Sequence, residues 1–316
     1  MANSSRQIDF GNSPRRIHEK LIHLVLLGCA LASILTTIGI ILVLLNDSVF
    51  TFGPSKAFFQ RISLQQFLLD TDWNPSTGHF GILPLLSGTL MVASIACSIG
   101  VPLGLGAAIY LSEYAAPRER SVVKPVLELL AGIPTVVFGY FGLAFITPYV
   151  LQPLFQRLFG IEVSIYNVAS AGIVVGIMIT PTVASLSEDV LRAVPTSLRD
   201  AAYALGATKL DVSVRIVVPA ALSGILAAIL LAFARAVGET MAVTICCGSL
   251  VQLSANPFES MQTMTAFMVS QTSGEDSANS IEFKSIYAVG LALFVITLTI
   301  NLISQYILSR FREVYE

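Results

Sequence analysis

Residues 188–219 read EDVLRAVPTSLRDAAYALGATKLDVSVRIVVP, a polar island between two long apolar runs, and its reading decides the fold. Pro195 blocks continuation of any helix arriving from the N-terminal side. Thr196 or Ser197 caps a new helix, with Ser197 and Asp200 forming an S-x-x-D start signal. Leu198, Ala202 and Leu205 recur at helical spacing as one apolar face, and Gly206 ends the helix. Thr208 with Asp211 repeats the start signal, and a second helix runs towards Pro219. A short helix with so narrow an apolar face cannot bury it alone. Two readings stand open: a knob for a docking partner, with Ala201 and Ala202 leaving room for close approach, or a hairpin packed on its own bundle.

Outward from this island the chain is strongly apolar. Of its 316 residues 54% are hydrophobic and 12% charged, and the mean hydropathy is +0.77. A soluble domain carries about a quarter charged residues, so lipid is the natural solvent here. A membrane-spanning helix needs about 20 mostly apolar residues. Six runs qualify, near 21–45, 82–111, 126–151, 165–187, 220–248 and 285–308. They predict an all-α membrane protein with one transmembrane domain over 21–316, preceded by a polar segment, 1–20. The run from Leu21 to Leu45 is longer than the roughly 7–15 residues of a signal-peptide core and lacks a clear cleavage site, so it reads as a first span. Gly100, Pro102, Gly104 and Gly106 predict a bend in the second run, and the Gly100–Gly104 spacing suits close helix packing.

Basic residues orient the spans. With the N-terminus in the cytoplasm, Arg6, Arg15, Arg16, Lys20, Arg118, Arg120, Lys124, Arg192, Arg199, Lys209, Arg215, Arg310 and Arg312 fall inside, whereas Lys56, Arg61, Arg157 and Lys284 fall outside. Thirteen against four places both termini and the 188–219 loop in the cytoplasm. The outer segments carry eight acidic residues, Asp47, Asp70, Asp72, Glu162, Glu259, Glu275, Asp276 and Glu282, against those four basic ones. Such a surface does not attract anions. Within it, the Met-rich stretch 257–271 reads either as a short helix at the membrane face or as a packed loop.

The fifth run contains Arg235-Ala236-Val237-Gly238-Glu239. A charge at mid-bilayer costs about 2.5–3.5 kcal/mol on insertion scales. Four residues apart on one helix, Arg235 and Glu239 lie one turn apart and partly neutralise each other, and their face must point into the bundle or a wet path. The pair is either an interhelical staple or an anion site. In the second reading Arg235 meets the anion with its permanently charged, planar fork. Thr240 and Thr244 follow on the same run and line a path or pack helices.

The remaining candidates read as structure. Cys29, Cys97, Cys246 and Cys247 sit in apolar runs without metal-ligand spacing and read as small core residues. Glu128 pairs with Lys124 at i,i+4, and Thr180-Pro181-Thr182 predicts a kink. No catalytic Ser/His/Asp set, carboxylate pair or metal cluster appears in the spans, and the long basic runs that bind nucleic acid are missing. There is no G-x-x-x-x-G-K-[ST] phosphate loop, so the chain has no recognisable nucleotide site.

Several stretches resemble known sequences. Asp200-Ala201-Ala202, then three residues, Gly206, nine residues, Ile216, two residues and Pro219 resemble the EAA loop of ABC importer permeases, with Asp200 in place of the usual Glu and Val218 of the usual Leu. The resemblance implies a type I importer fold. It also implies that the loop is a coupling helix seated in a groove of a separate ATPase, with Asp200, Ala201, Ala202, Leu205 and Gly206 as its contacts. The ATP and Mg would be bound by that ATPase, with no cofactor in this chain. The stretch Arg235–Val243, RAVGETMAV, is similar to the signature of the PstC family of phosphate-importer permeases, as are Trp73-Asn74-Pro75, Phe80–Thr89, Gln262–Thr265 and Glu282-Phe283-Lys284. From about residue 67 onward this implies a phosphate path holding Arg235, Glu239 and Thr240, in a bacterial inner membrane. It further implies a PstA-like second permease, PstB-like ATPase subunits and an extracytoplasmic PstS-like phosphate-binding protein. A permease for sulfate or molybdate, the sister phosphate permease, and an ion channel or structural membrane protein remain the rival readings.

Overall fold

A computed structural model describes residues 15–50, 56–274 and 280–311. Of the segment 1–20 only its last part is thus described, and Arg6, Glu275, Asp276 and Arg312 lie outside the described residues. In chain order the helices are α1 (Arg15–Ser48), α2 (Leu64–Leu69), α3 (Leu83–Ile109), α4 (Pro117–Ala131), α5 (Thr135–Phe141), α6 (Val168–Ala193), α7 (Thr196–Ala204), α8 (Lys209–Val212), α9 (Val218–Ala220), α10 (Leu222–Val237), α11 (Met241–Cys247), α12 (Met264–Thr272) and α13 (Ile281–Phe311). Wider π-type turns extend α3 through Tyr110–Tyr114 and α5 through Gly142–Arg157, and another, Ser213–Val217, joins α8 to α9. A two-residue ladder pairs β1 (Trp73–Asn74) with β2 (His79–Phe80).

Among the described residues five helical stretches are long and apolar enough to cross a membrane: Glu19–Ser48, Leu83–Tyr114, Thr135–Arg157, Val168–Ala193 and Ile281–Ile307. A sixth candidate, Lys209–Ala220 with Leu222–Val237, is bent by 71°. The third span differs from the expected 126–151. Gly132-Ile133-Pro134 interrupts the helix, so α4 ends before it and the span begins at Thr135. Glu128 therefore sits on the polar helix α4, and Lys124 turns away from it to Glu188 and Asp189.

The central pair is α3 and α6. Added Cβ atoms on Gly100 and Gly104 would stand 2.5 Å from Ile179 and 2.6 Å from Val183, and those on Gly172 and Gly176 would stand 2.6 Å from Ile95 and 3.0 Å from the Ala96 carbonyl. Small residues on both helices let the backbones close. Because contacts climb both helices in step, α3 and α6 run parallel, and the intervening α5 must return between them. The expected bend at Pro102 does not interrupt α3, which is one helix from Leu83 to Ile109. Pro181 likewise lies within the unbroken α6. Helix α10 runs antiparallel to α6: Gly224 packs on Val190, and Arg235 reaches Thr182.

Three buried clusters follow from this layout. Val92, Ala96, Val174, Ile179, Ala232 and Val243 fill the middle. At the end where α3 begins, Phe58, Phe67, Trp73, Phe80 and Phe267 meet edge to face beneath Met264 and Val289. At the end where α3 finishes, Leu191, Val194, Ala202, Val212 and Ile225 join the 188–219 loop to the bundle. The Met-rich stretch resolves as packed structure. Its helix is confined to Met264–Thr272, and both Met261 and Met264 are fully buried. Cys246 and Cys247 are buried core residues as expected, but Cys97 is only half-buried and Cys29 is exposed on α1, whose apolar side chains face outward.

Candidate functional site

Arg235 and Glu239 are not on one helix. Gly238 caps α10 at Val237, and α11 begins only at Met241. The neutralising i,i+4 pair is thus corrected: the side chains separate at the break, and no ion pair joins them. Glu239 Oε1 instead accepts from the Ala242 amide at 3.3 Å, at the open start of α11. The carbonyl of Glu239 accepts from Thr265 Oγ1 of α12 at 2.8 Å. Thr240 Oγ1 donates to the Gly238 carbonyl, and Thr244 Oγ1 to that of Thr240. Non-helical backbone at membrane depth is tolerated where protein groups satisfy it or where it lines a wet cavity.

Arg235, in the last turn of α10, is exposed and makes one side-chain hydrogen bond, a long one of 3.4 Å from Nη1 to Thr182 Oγ1 of α6. A guanidinium at a helix C-terminus is favoured by the helix dipole. Most of its donors remain available, so it can bind an anion without first breaking an ion pair. Glu239 and Thr240 are half-buried beside it. The glycine after Arg235 and the threonine before an apolar run are ordinary stop and start signals, and they were the sequence's clue to this break.

At the far end of α3 and α6, the 188–219 loop forms α7, α8 and α9. Helix α7 starts at Thr196 after Pro195 without a side-chain cap, so Ser197 lies inside the helix and the first S-x-x-D signal is not used. The second is used: the Asp211 amide donates to Thr208 Oγ1 at 3.2 Å. Gly206, at φ +82°, ends α7 in a Schellman motif, with the Ala207 amide on the Ala202 carbonyl and the Gly206 amide on the Tyr203 carbonyl. The loop packs on its own bundle by one side and leaves the other side exposed. Leu198 is half-buried and Ala202 is 6% exposed, both packed inward, whereas Asp200, Ala201 and Gly206 are exposed and Leu205 is 90% exposed. Of the five expected contacts, Ala202 faces the bundle.

Two charged constructions escaped the sequence reading. Arg199 Nη2 bonds Glu113 Oε1 at 3.0 Å and the Leu191 carbonyl at 2.8 Å, and Nη1 bonds the Val194 carbonyl at 2.6 Å. One nearly buried guanidinium therefore ties α7 to the ends of both α3 and α6. On α6, the fully buried Glu188 carboxylate meets Arg120 at 2.7 Å, Lys124 at 2.7 Å and Arg192 at 3.7 Å, fastening α4 to α6. Hydrogen bonds to Asp189 and Glu188 raise the Lys124 pKa above its ordinary value. Arg192 meets Glu188 at i,i+4, but the charged partners that join different helices lie 64 to 86 positions apart in the chain, beyond any local pattern.

Residues 100–313 match the family of binding-protein-dependent transport system inner membrane components. The chain belongs to that family. This permease is 36% identical over 258 residues to the phosphate transport system permease protein PstC of Mesorhizobium japonicum, covering 77% of this chain and 78% of that one. It is 32% identical over 298 residues to the probable ABC transporter permease protein YqgH of Bacillus subtilis, covering 94% and 93%. Among solved structures, a bacterial alginate ABC transporter in complex with its pentasaccharide-bound periplasmic protein matches at a TM-score of 0.64 and 14% identity over 93% of this chain and 95% of that one. The MetNI methionine ABC transporter in an inward-facing form matches at 0.52 and 17%, over 74% and 95%. The permease thus has the all-α fold of type I ABC importers and is a multi-pass membrane protein.

Proposed function

We propose that this permease is the PstC-type membrane subunit of an ATP-driven phosphate importer. The observation that carries the reading is its 32–36% identity to several PstC phosphate permeases over about four-fifths of the chain. The exposed, weakly engaged Arg235 at the helix break supports it, since a planar guanidinium donates paired hydrogen bonds to phosphate and stays charged throughout. In this reading Arg235 compensates the anion's charge, and Glu239 and Thr240 hold the break that presents it. The path is completed by a PstA-like partner permease. A PstS-like protein captures phosphate outside, because the outer segments are predominantly acidic.

ATP and Mg act on PstB-like subunits. Their closure pushes the exposed side of α7, carrying Asp200, Ala201, Leu205 and Gly206, and Arg199 passes that motion to α3 and α6. Ala202 serves this surface from behind, holding α7 to the bundle. The chain itself is read as hydrolysing nothing, with both termini and the 188–219 loop in the cytoplasm of a bacterial cell, as the basic-residue asymmetry supports.

The test is reconstitution with the partner permease, ATPase and binding protein in liposomes, followed by ATP-dependent uptake of labelled phosphate. Uptake that persists in excess sulfate and molybdate is expected. Transport of either competitor in preference to phosphate would replace the substrate and keep the architecture. No ATP-dependent uptake by a fully assembled complex would remove the importer reading.

A further inference from the structure

A cavity of about 540 Å³ opens where α11 ends, lined by Leu143, Tyr166, Thr244, Ile245, Gly248 and Ser249, none of them charged. It lies along α6 from Arg235, towards the start of that helix. The Asn167 amide, at the start of α6, donates to the Cys246 carbonyl, whereas Arg235 reaches Thr182 on the same helix. The stretch 167–182 between those two levels is about 20 Å long at the rise of an α-helix. Thr240, Thr244 and Gly248 recur at helical spacing along one side of α11 and its two caps, so that side leads from the helix break to the cavity.

The cavity wall carries open donors. Among the described residues, the Tyr166 hydroxyl, the Ser249 hydroxyl and the Ser249 amide make no hydrogen bond. Gly248, at φ +82°, sets the turn hard against Tyr166, since an added Cβ would stand 2.9 Å from the Tyr166 Cβ. The wall carries an open acceptor as well. The last four carbonyls of a helix lack partners within it and point beyond its end. In α11 the Cys246 carbonyl is taken by the Asn167 amide, and the Cys247 carbonyl by the Met261 amide and Ser260 Oγ. The Ile245 carbonyl has no such partner among the described residues. Three donors and one acceptor around an uncharged wall suit an oxyanion that still carries a proton. Near neutral pH phosphate keeps at least one proton and sulfate keeps none. The carbonyl can therefore bond phosphate and only repel sulfate.

We propose that this cavity is an outer holding site for hydrogen phosphate, upstream of Arg235. The Tyr166 and Ser249 hydroxyls and the Ser249 amide donate to the anion's oxygens, and the Ile245 carbonyl accepts from its hydroxyl. The inference rests on the importer reading above, which makes the anion phosphate and this end the outer one. Neutral donors hold an anion less firmly than a guanidinium does, so the site can pass its occupant on to Arg235. It also sorts oxyanions by protonation before they reach that charge.

The experiment is equilibrium dialysis of labelled inorganic phosphate against the complete complex in nanodiscs, without ATP or binding protein. An Arg235→Gln background reads this site apart from the helix break. That background is expected still to bind phosphate. Arsenate, which carries the same proton, should displace it, and sulfate should do so about tenfold less well, the loss of one hydrogen bond to a charged species. Adding Tyr166→Phe and Ser249→Ala should weaken binding about tenfold, the loss of two neutral hydrogen bonds. Ser249→Thr, which keeps the hydroxyl, should retain it. Should the double variant melt early, Ser249→Ala alone, at an exposed residue, carries the test. If wild type transports phosphate and the Arg235→Gln complex binds none, or binds it as tightly without the two hydroxyls, the cavity holds only water and this inference falls alone. Displacement by sulfate as effective as by arsenate would overturn the role of the Ile245 carbonyl. If the wild-type complex with its ATPase and binding protein transports no phosphate, the inference falls together with the importer reading.

Discussion

At the scale of single residues, the proposed path turns on Arg235, an exposed charge in the last turn of α10 beside the helix break. An arginine within an apolar run is rare enough to mark Arg235. By hydropathy the run reads as one helix, although Gly238 ends that helix two residues later and leaves Glu239 to the start of α11. The consequence is testable. Arg235→Gln is expected to abolish uptake while the complex still assembles and melts as wild type, since its one side-chain contact is the 3.4 Å bond to Thr182. Wild-type uptake by that variant would remove Arg235 from the path. Glu239 should divide differently. Glu239→Gln retains an oxygen for the Ala242 amide, whereas Glu239→Ala loses it and should cost about 1 kcal/mol of stability, typical of a lost helix-start acceptor. Thermal unfolding of the purified complex in detergent measures the difference, and equal losses from both variants would show that the charge rather than the hydrogen bond is used.

At the scale of elements, hydropathy located the long runs because lipid demands them, but it could not see where backbone geometry divides a run. The apolar stretch beginning near residue 126 is continuous in composition, yet Gly132-Ile133-Pro134 splits it into a polar-sided α4 and a span starting at Thr135. The Gly100–Gly104 spacing was legible as a packing signal, though its partner surface on α6 lay more than 70 positions away. Gly100→Val should therefore be far worse than an ordinary apolar gain. Its Cβ already falls 2.5 Å from Ile179 and 2.7 Å from the Gly176 carbonyl, and overpacking of this kind costs about 1–3 kcal/mol. Lower expression and a lower melting temperature are expected. The Glu188 cluster was illegible for a plainer reason: a carboxylate near the end of an apolar run looks like a solvated terminus until α4 folds over it. Removing one partner of a buried ion group costs about 3–5 kcal/mol, and the part-exposed cations here point to the lower value. Glu188→Ala should accordingly loosen α4, read as faster amide hydrogen exchange over 117–131 with little change at the Trp73 end.

At the scale of the whole molecule, the proposed coupling role asks one short loop both to bind another protein and to move this one, and the two sides of the loop differ in a way that suits those two duties. The outward side presents Leu205, 90% exposed, with Ala201 and the left-handed turn at Gly206. The inward side presents Ala202 to the core and Arg199 to Glu113 and the α6 carbonyls. Binding and transmission should therefore be separable by mutation. Leu205→Arg places a charge on the outward side and should abolish ATPase co-purification, leaving the permease pair intact. Arg199→Ala keeps the outward surface but cuts α7 loose from α3 and α6. Its expected signature is a complex that still holds the ATPase and hydrolyses ATP, yet delivers several-fold less phosphate per ATP. Uptake and hydrolysis measured in the same vesicles give that ratio directly. If both activities fell together in Arg199→Ala, the arginine would be holding the loop's shape and not its stroke, and the connection between ATPase and spans would have to run through the packed residues around Ala202, Val212 and Ile225 instead.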